Sequence, residues 1–207
     1  MRFIRLFRLP LLLLALAVGG VALAAPANAG TPAPAGHQSH DWHPHSPAKV
    51  KVKGGSTSLT VDKATAAVLA ENKVTVRAVY GAGGKAPTFR FPITGGSVDP
   101  RTAAGTITHS GGLKIAAGMK SVVVKDFTID TRSGVLTARV AGTSTRIPLL
   151  KLDTSSAAIS GSKGWLVVTG VRATLTSQAA AALNTTFGVS LFEAGLPIGT
   201  AAVYART

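Results

Sequence analysis

The sequence predicts a mainly β domain, a single antiparallel β-sandwich or barrel with two short capping helices, preceded by a disordered arm. Three observations predict it. Short segments of β-branched or alternating residues recur from Leu59 onward, glycine and serine turns separate them, and alanine-rich helix signals interrupt them at only two places.

The first element is not part of the fold. Arg2, Arg5 and Arg8 form a basic start, Leu9 to Ala25 is almost continuously apolar, and Ala27-Asn28-Ala29 places small residues before Gly30. Residues 1–29 therefore read as a secretory signal peptide, and Gly19, Gly20 and Pro26 favour its cleavage over a retained anchor. No later segment is apolar enough to span a bilayer, so the mature chain is expected to be secreted, outside the cytoplasmic membrane. The chain has no cysteine, which excludes disulfides, thiolate metal sites and thiol nucleophiles. Cleavage leaves about 178 residues, the size of one domain with a tail.

Residues 30–55 read as a disordered arm, because Pro32, Pro34, Pro44 and Pro47 break regular structure among polar neighbours. The arm carries His37, His40, His43 and His45, followed by Lys49, Lys51 and Lys53. Four closely spaced imidazoles suit a divalent transition metal such as zinc, nickel or copper, and a flexible arm can fold around the ion. A solvated linker that binds nothing is the competing reading, since the spacing matches no fixed structural zinc pattern.

Residues 56–207 form the expected β domain. Asp62 is placed to cap a helix over Lys63 to Asn72, and strands are expected at Val74 to Tyr80, Phe89 to Phe91, Ser121 to Asp130 and Val135 to Val140. Thr131-Arg132-Ser133-Gly134 reads as a hairpin turn between the last two. Further strands are expected at Arg146 to Leu152 and Gly164 to Thr176, and Ser177 is placed to cap a helix over Gln178 to Thr186. Leu59-Thr60 and Leu175-Thr176 each lead into an alanine-rich helix, which suggests two similar corners closing one β-structure.

Composition bounds the function. Removing Arg2, Arg5 and Arg8 from a formal net charge of +14 leaves about +11. Such a chain is drawn to polyanions, and outside a cell these are anionic cell-wall polymers and phospholipid head groups. Nucleic acid is not expected as a partner, because there is no aromatic-rich stacking motif or recognition-helix pattern. Only eight acidic residues are present, and Asp62, Asp99, Asp130 and Asp153 all fall at caps, turns or strand ends, leaving no carboxylate pair for hydrolysis. Gly54-Gly55-Ser56 and Gly161-Ser162 do not complete a nucleophile elbow, and Ser110 adjoins His109 on a strand, where neighbours face opposite ways. An enzyme is not expected. Asn184-Thr185-Thr186 fits a glycosylation sequon but is better read as helix-end chemistry.

Two motifs remain: Phe89-Arg90-Phe91-Pro92-Ile93-Thr94-Gly95-Gly96, and Gly105-Thr106-Ile107-Thr108-His109-Ser110-Gly111-Gly112-Leu113. The second sets the domain's single histidine beside paired glycines, where backbone can approach a ligand closely. The order of a Leu-Thr helix, these two motifs, alternating strands, a second Leu-Thr helix with Ala-Leu-Asn and a closing glycine-rich strand resembles the HtaA domain family, from Leu59 to about Tyr204. That resemblance implies a secreted or wall-associated protein with a β-sandwich-like fold, in a family that includes haem-binding modules passing haem toward an importer. Haem-binding members carry a tryptophan and an iron-ligating tyrosine on the opening helix, whereas Lys63 to Asn72 has neither.

His109 lies in the region that resembles the family's histidine-containing loop. It is the expected ligand contact, either donating a nitrogen to iron or hydrogen-bonding a tyrosinate, with Tyr80 approaching across the sheet. Gly111 and Gly112 are expected to lie against a porphyrin, and Arg90, Lys114 or Lys120 to meet its propionates. The same residues also fit a bland reading, with Gly111-Gly112 as a turn and His109 a strand-end residue satisfied by backbone.

Overall fold

Period-two alternation governs the strands of the computed structural model, which describes residues 48–207. Phe89, Phe91 and Ile93 are buried while Arg90 and Pro92 are exposed, and Gly199, Ala201, Val203 and Ala205 are buried between exposed Thr200, Tyr204 and Arg206. Such a pattern sends one row of side chains inward and the other to solvent.

In chain order the elements are β1 (Val50–Lys51), β2 (Gly54–Val61), α1 (Lys63–Glu71), β3 (Val74–Val79), β4 (Gly83–Lys85) and β5 (Thr88–Val98). There follow β6 (Gly105–His109), β7 (Gly112–Ala117), β8 (Lys120–Asp130), β9 (Val135–Val140) and β10 (Arg146–Asp153). The last are β11 (Ala158–Ser162), β12 (Trp165–Leu175), α2 (Ser177–Phe187) and β13 (Pro197–Arg206). All pairings are antiparallel. Strands β5, β2, β13, β12, β10, β9, β8 and β6 follow one another around a closed eight-strand barrel, because β6 pairs with both β8 and β5. Closure leaves no free edge around the barrel. Strands β7 and β3 extend the sheet from β8, β1 and β4 flank β5, and β11 flanks β12.

The seam at β5 and β6 depends on glycine. Gly96 has φ 138°, and a Cβ there would stand 2.2 Å from the Thr106 carbonyl oxygen, so only glycine lets the two strands approach. A register shift between Ile93 and Gly95 bends β5 at the same place. The barrel is filled from several strands, with Phe91 of β5 meeting Phe127 of β8 edge-on at 5.0 Å between ring centroids and 73° between planes. Such an aromatic pair contributes about 0.5–1.5 kcal/mol beyond its burial.

Both expected helices form, with their caps altered. Asp62 occupies the N-cap of α1 without a side-chain capping bond, and the Thr65 hydroxyl instead donates to the Pro197 carbonyl. Thr176, not Ser177, caps α2: its hydroxyl oxygen accepts from the Ala179 amide at 3.1 Å and its proton goes to the Pro148 carbonyl at 2.6 Å. Either hydroxyl suits a cap, and the one that also reaches β10 prevails. Asn184 performs helix-end chemistry, joining α2 to the following loop through Phe192 N and O at 3.0 and 2.8 Å. The sheet begins earlier than residue 56, since Val50 pairs with Val98 and Gly54 with Arg206. The signal segment and the histidine-bearing part of the arm lie outside the described residues. Among the described residues no helix is long and apolar enough to cross a membrane.

Candidate ligand-binding site

Inward-facing side chains leave a chamber of about 160 Å³ in the barrel. Exposed Thr102, Thr154 and Ile159 stand at the end formed by the β5–β6 and β10–β11 connections, while buried Thr57 and His109 lie among Phe91, Leu113 and Phe127 deeper in. Three connections at the mouth share one device. The carboxylates of Asp99, Asp130 and Asp153 accept from the backbone N–H groups of Arg101 at 2.7 Å, Arg132 at 2.9 Å and Ser155 at 2.9 Å. Those N–H groups, first of all, hold the three carboxyls below the usual aspartate range. Thr131 then ties two of the connections together, accepting from Gly105 N at 2.7 Å and donating to Ala103 O at 2.8 Å.

His109 ends β6 opposite Ile93, and Thr57 of β2 stands opposite Phe91 on the other side of β5. Both point inward across β5, and His109 Nε2 and Thr57 Oγ1 share a hydrogen bond of 2.7 Å. Only 4% of His109 is exposed. Burial lowers its pKa to about 4, with the Phe127 backbone acting in the opposite direction, so the imidazole is neutral at pH 7. The Phe127 interaction does not amount to a hydrogen bond, and Nδ1 is buried without a partner.

Tyr80 is elsewhere. It follows β3 with φ 53° and is 64% exposed. The Lys125 ammonium stands 5.2 Å from its ring centroid, within cation–π range. Tyr80 and His109 are therefore not brought together: one phenol faces solvent, and the imidazole is engaged inside the barrel with Thr57. Arg90 is exposed on β5 opposite Gly83. Lys114 lies opposite Arg77 on exposed positions of β7 and β3, and Lys120 begins β8.

Gly111 and Gly112 are both buried. A Cβ at Gly111 would meet Ala82 N at 2.7 Å, and one at Gly112 would meet Val124 O at 2.6 Å. Their missing side chains make room for the protein's own backbone. Open backbone occurs instead at Gly81 and Gly83, where a Cβ would meet nothing within 4 Å. Ser110 donates its amide to Pro92 O at 3.0 Å and makes no pair with His109. The metal-binding expectation for His37, His40, His43 and His45 lies outside the described residues.

Sequence reasoning missed Thr57, Gly81, Gly83 and Lys125. A signal for Thr57 was present, because Thr57 and Leu59 share one face under period-two alternation. Nothing in the sequence distinguished buried from open glycines.

A closed antiparallel barrel with an apolar chamber, one buried imidazole among the described residues and turn-bound carboxylates defines a small β-barrel protein. Residues 65–189 match the HtaA family (described as Htaa), and the chain belongs to that family. The C-terminal domain of HtaA from Corynebacterium glutamicum is similar in structure, at 17% identity and a TM-score of 0.54, covering 75% of this chain and 98% of that one. The haem-binding protein HtaB of the same organism is also similar, at 12% identity and a TM-score of 0.48, covering 76% of this chain and 95% of its own. No match was found among curated proteins.

Proposed function

We propose that this chain is an exported, non-catalytic protein of the cell envelope that captures haem on its outer surface, with Tyr80 as the iron ligand. One observation carries the reading. An exposed tyrosine stands in a left-handed backbone conformation beside open backbone at Gly81 and Gly83, with Lys125 over its ring and Arg90 opposite Gly83. Phenolate oxygen is an established type of haem-iron ligand, bare backbone lets a flat macrocycle lie close, and ammonium and guanidinium groups complement propionates. A bulky residue at positive φ is strained, so retaining tyrosine there is consistent with a use for its oxygen. Membership of a family whose domains bind haem supports the choice of ligand.

The chamber is a poor fit for haem. Its volume of about 160 Å³ falls below the roughly 300–1,000 Å³ of pockets that enclose drug-sized ligands. His109, the ligand expected from the sequence, is committed to Thr57 inside the wall. The non-catalytic reading rests on the same economy of groups, since the three mouth carboxylates hold turns and the imidazole faces apolar side chains. The net charge of about +11 that remains after removal of Arg2, Arg5 and Arg8 supports retention by anionic wall polymers, and salt should release the protein from them over the range in which exposed charges become screened. Metal capture by His37, His40, His43 and His45 is a separate property, tested by whether deletion of residues 36–46 abolishes zinc or nickel binding.

Hemin titration followed by the Soret band tests the central assignment. Tyr80→Phe should weaken binding at least about tenfold, while His109→Leu leaves it within about twofold, as expected when only one of them touches iron. Full binding by Tyr80→Phe, or loss in a folded His109→Leu protein, overturns the assignment.

A further inference from the structure

We propose that the barrel chamber is a second binding site, separate from the surface haem site, and that it takes a small neutral molecule of one apolar ring bearing a single hydroxyl, the chemistry of a phenol. Size is the first argument. A chamber of about 160 Å³ matches the cavity of about 150 Å³ that is known to stay dry and admit benzene when lined by Leu, Ile and Phe. Here the lining is of the same kind, with Phe91, Phe127, Ile129, Leu150 and Val171 among its members.

Charge is the second. No lysine, arginine, aspartate or glutamate lines the chamber among the described residues. A carboxylate or ammonium brought inside would lose its hydration without gaining a counter-ion, so a charged ligand is excluded. The imidazole does not change this, because it is neutral at pH 7.

Hydrogen bonding is the third and selects the functional group. His109 is buried, lines the chamber, and has Nδ1 unpaired while Nε2 is occupied by Thr57. An unpaired buried polar atom is costly, and a ligand that pairs with it gains that cost back as affinity. The Thr57 hydroxyl can donate to Nε2 or accept from it, so Nδ1 is either a donor or an acceptor according to tautomer. A hydroxyl is both donor and acceptor and satisfies either state. An ether satisfies only the donor state, and a hydrocarbon neither.

The entrance fits such a guest. Thr102, Thr154 and Ile159 at the mouth are exposed, and the connections that carry them are held by turn hydrogen bonds at Asp99 and Asp153.

The test uses the mature full-length protein with phenol, benzene, benzoate and benzylammonium as probes, followed by calorimetry and by methyl NMR of Val168, Val171 and Leu150. Phenol should bind, benzene should bind about five- to tenfold more weakly for want of the hydrogen bond, and the two ions should bind at least about tenfold more weakly than phenol. Ala173→Leu and Ala201→Leu, which add bulk to the chamber wall, should each abolish phenol binding, and His109→Leu should make phenol and benzene equal. Should the filled variants fail to fold, contacts between phenol protons and Val171 or Phe127 in the wild-type protein decide the matter. The proposal is overturned by absence of phenol binding, by binding that persists in folded filled variants, by indifference to the hydroxyl, or by phenol contacts confined to the outer surface.

Discussion

Two glycine-rich stretches meet at one corner of the barrel and put the absence of a side chain to opposite uses. At His109-Ser110-Gly111-Gly112 the glycines are buried, and their bare Cα atoms let Ala82 and Val124 close over the chain. At Tyr80-Gly81-Ala82-Gly83-Gly84 the glycines are exposed, and Gly81 and Gly83 leave open backbone beside a phenol. The two stretches touch, since Ala82 is the residue that Gly111 accommodates. The same composition thus serves packing on one side and a ligand-accessible surface on the other. What separates them is which face of the sheet each occupies, and with it whether the neighbouring functional group, His109 or Tyr80, is dry or wet.

The sharpest way to break this comparison is to give both stretches a methyl group. Gly111→Ala places Cβ against Ala82 in a left-handed backbone conformation and should cost about 3 kcal/mol in urea unfolding, the sum of overpacking and backbone strain. Gly83→Ala should change stability by less than about 0.5 kcal/mol. Equal costs would show that both glycines are there for packing.

A comparable effect is expected from pH. The folded pKa of His109 is about 4 against an ordinary 6.5, so the unfolded chain binds the extra proton in that window and stability rises with pH across it. Acidification from pH 7 to 4 should therefore remove about 3 kcal/mol, fully retained above pH 6.5, and His109→Leu should flatten this part of the profile. Asp99, Asp130 and Asp153 have depressed pKa values, so the stability they give is present above about pH 4 and lost only below it. Tyr80→Phe should leave the whole profile unchanged.

Thr57→Val is expected to cost about 2 kcal/mol, because it leaves both nitrogens of a buried imidazole unpaired. A smaller effect of opposite sign is expected outside. Tyr80→Gly should raise stability by up to about 1 kcal/mol by relieving positive φ, while removing the proposed haem ligand. Thermal unfolding with and without hemin separates the two consequences.

Much of the barrel was legible where alternation is regular. Val135–Val140 forms as expected, and β8, β10 and β12 differ from expectation by a residue at their ends. Legibility failed where glycine or proline interrupts a strand that nevertheless continues. Only Phe89 to Phe91 was expected as a strand here, whereas β5 runs on through Pro92 and Gly95-Gly96 to Val98 with a register shift. The direction of His109 follows from β6 itself, where Ile107 and His109 share the buried face under regular alternation. Tyr80 was expected to approach His109 across the sheet. Only the closed sheet reveals that one points in and the other out.

A double titration bears most directly on the claim that inside and outside are separate. Phenol binding is measured by calorimetry and methyl NMR before and after saturation with hemin, and hemin binding before and after saturation with phenol. Independent sites predict that each affinity stays within about twofold of its value alone, since there is no coupling free energy to transmit. Mutual displacement, with loss of both by His109→Leu, would place haem and phenol at one interior site and contradict the account.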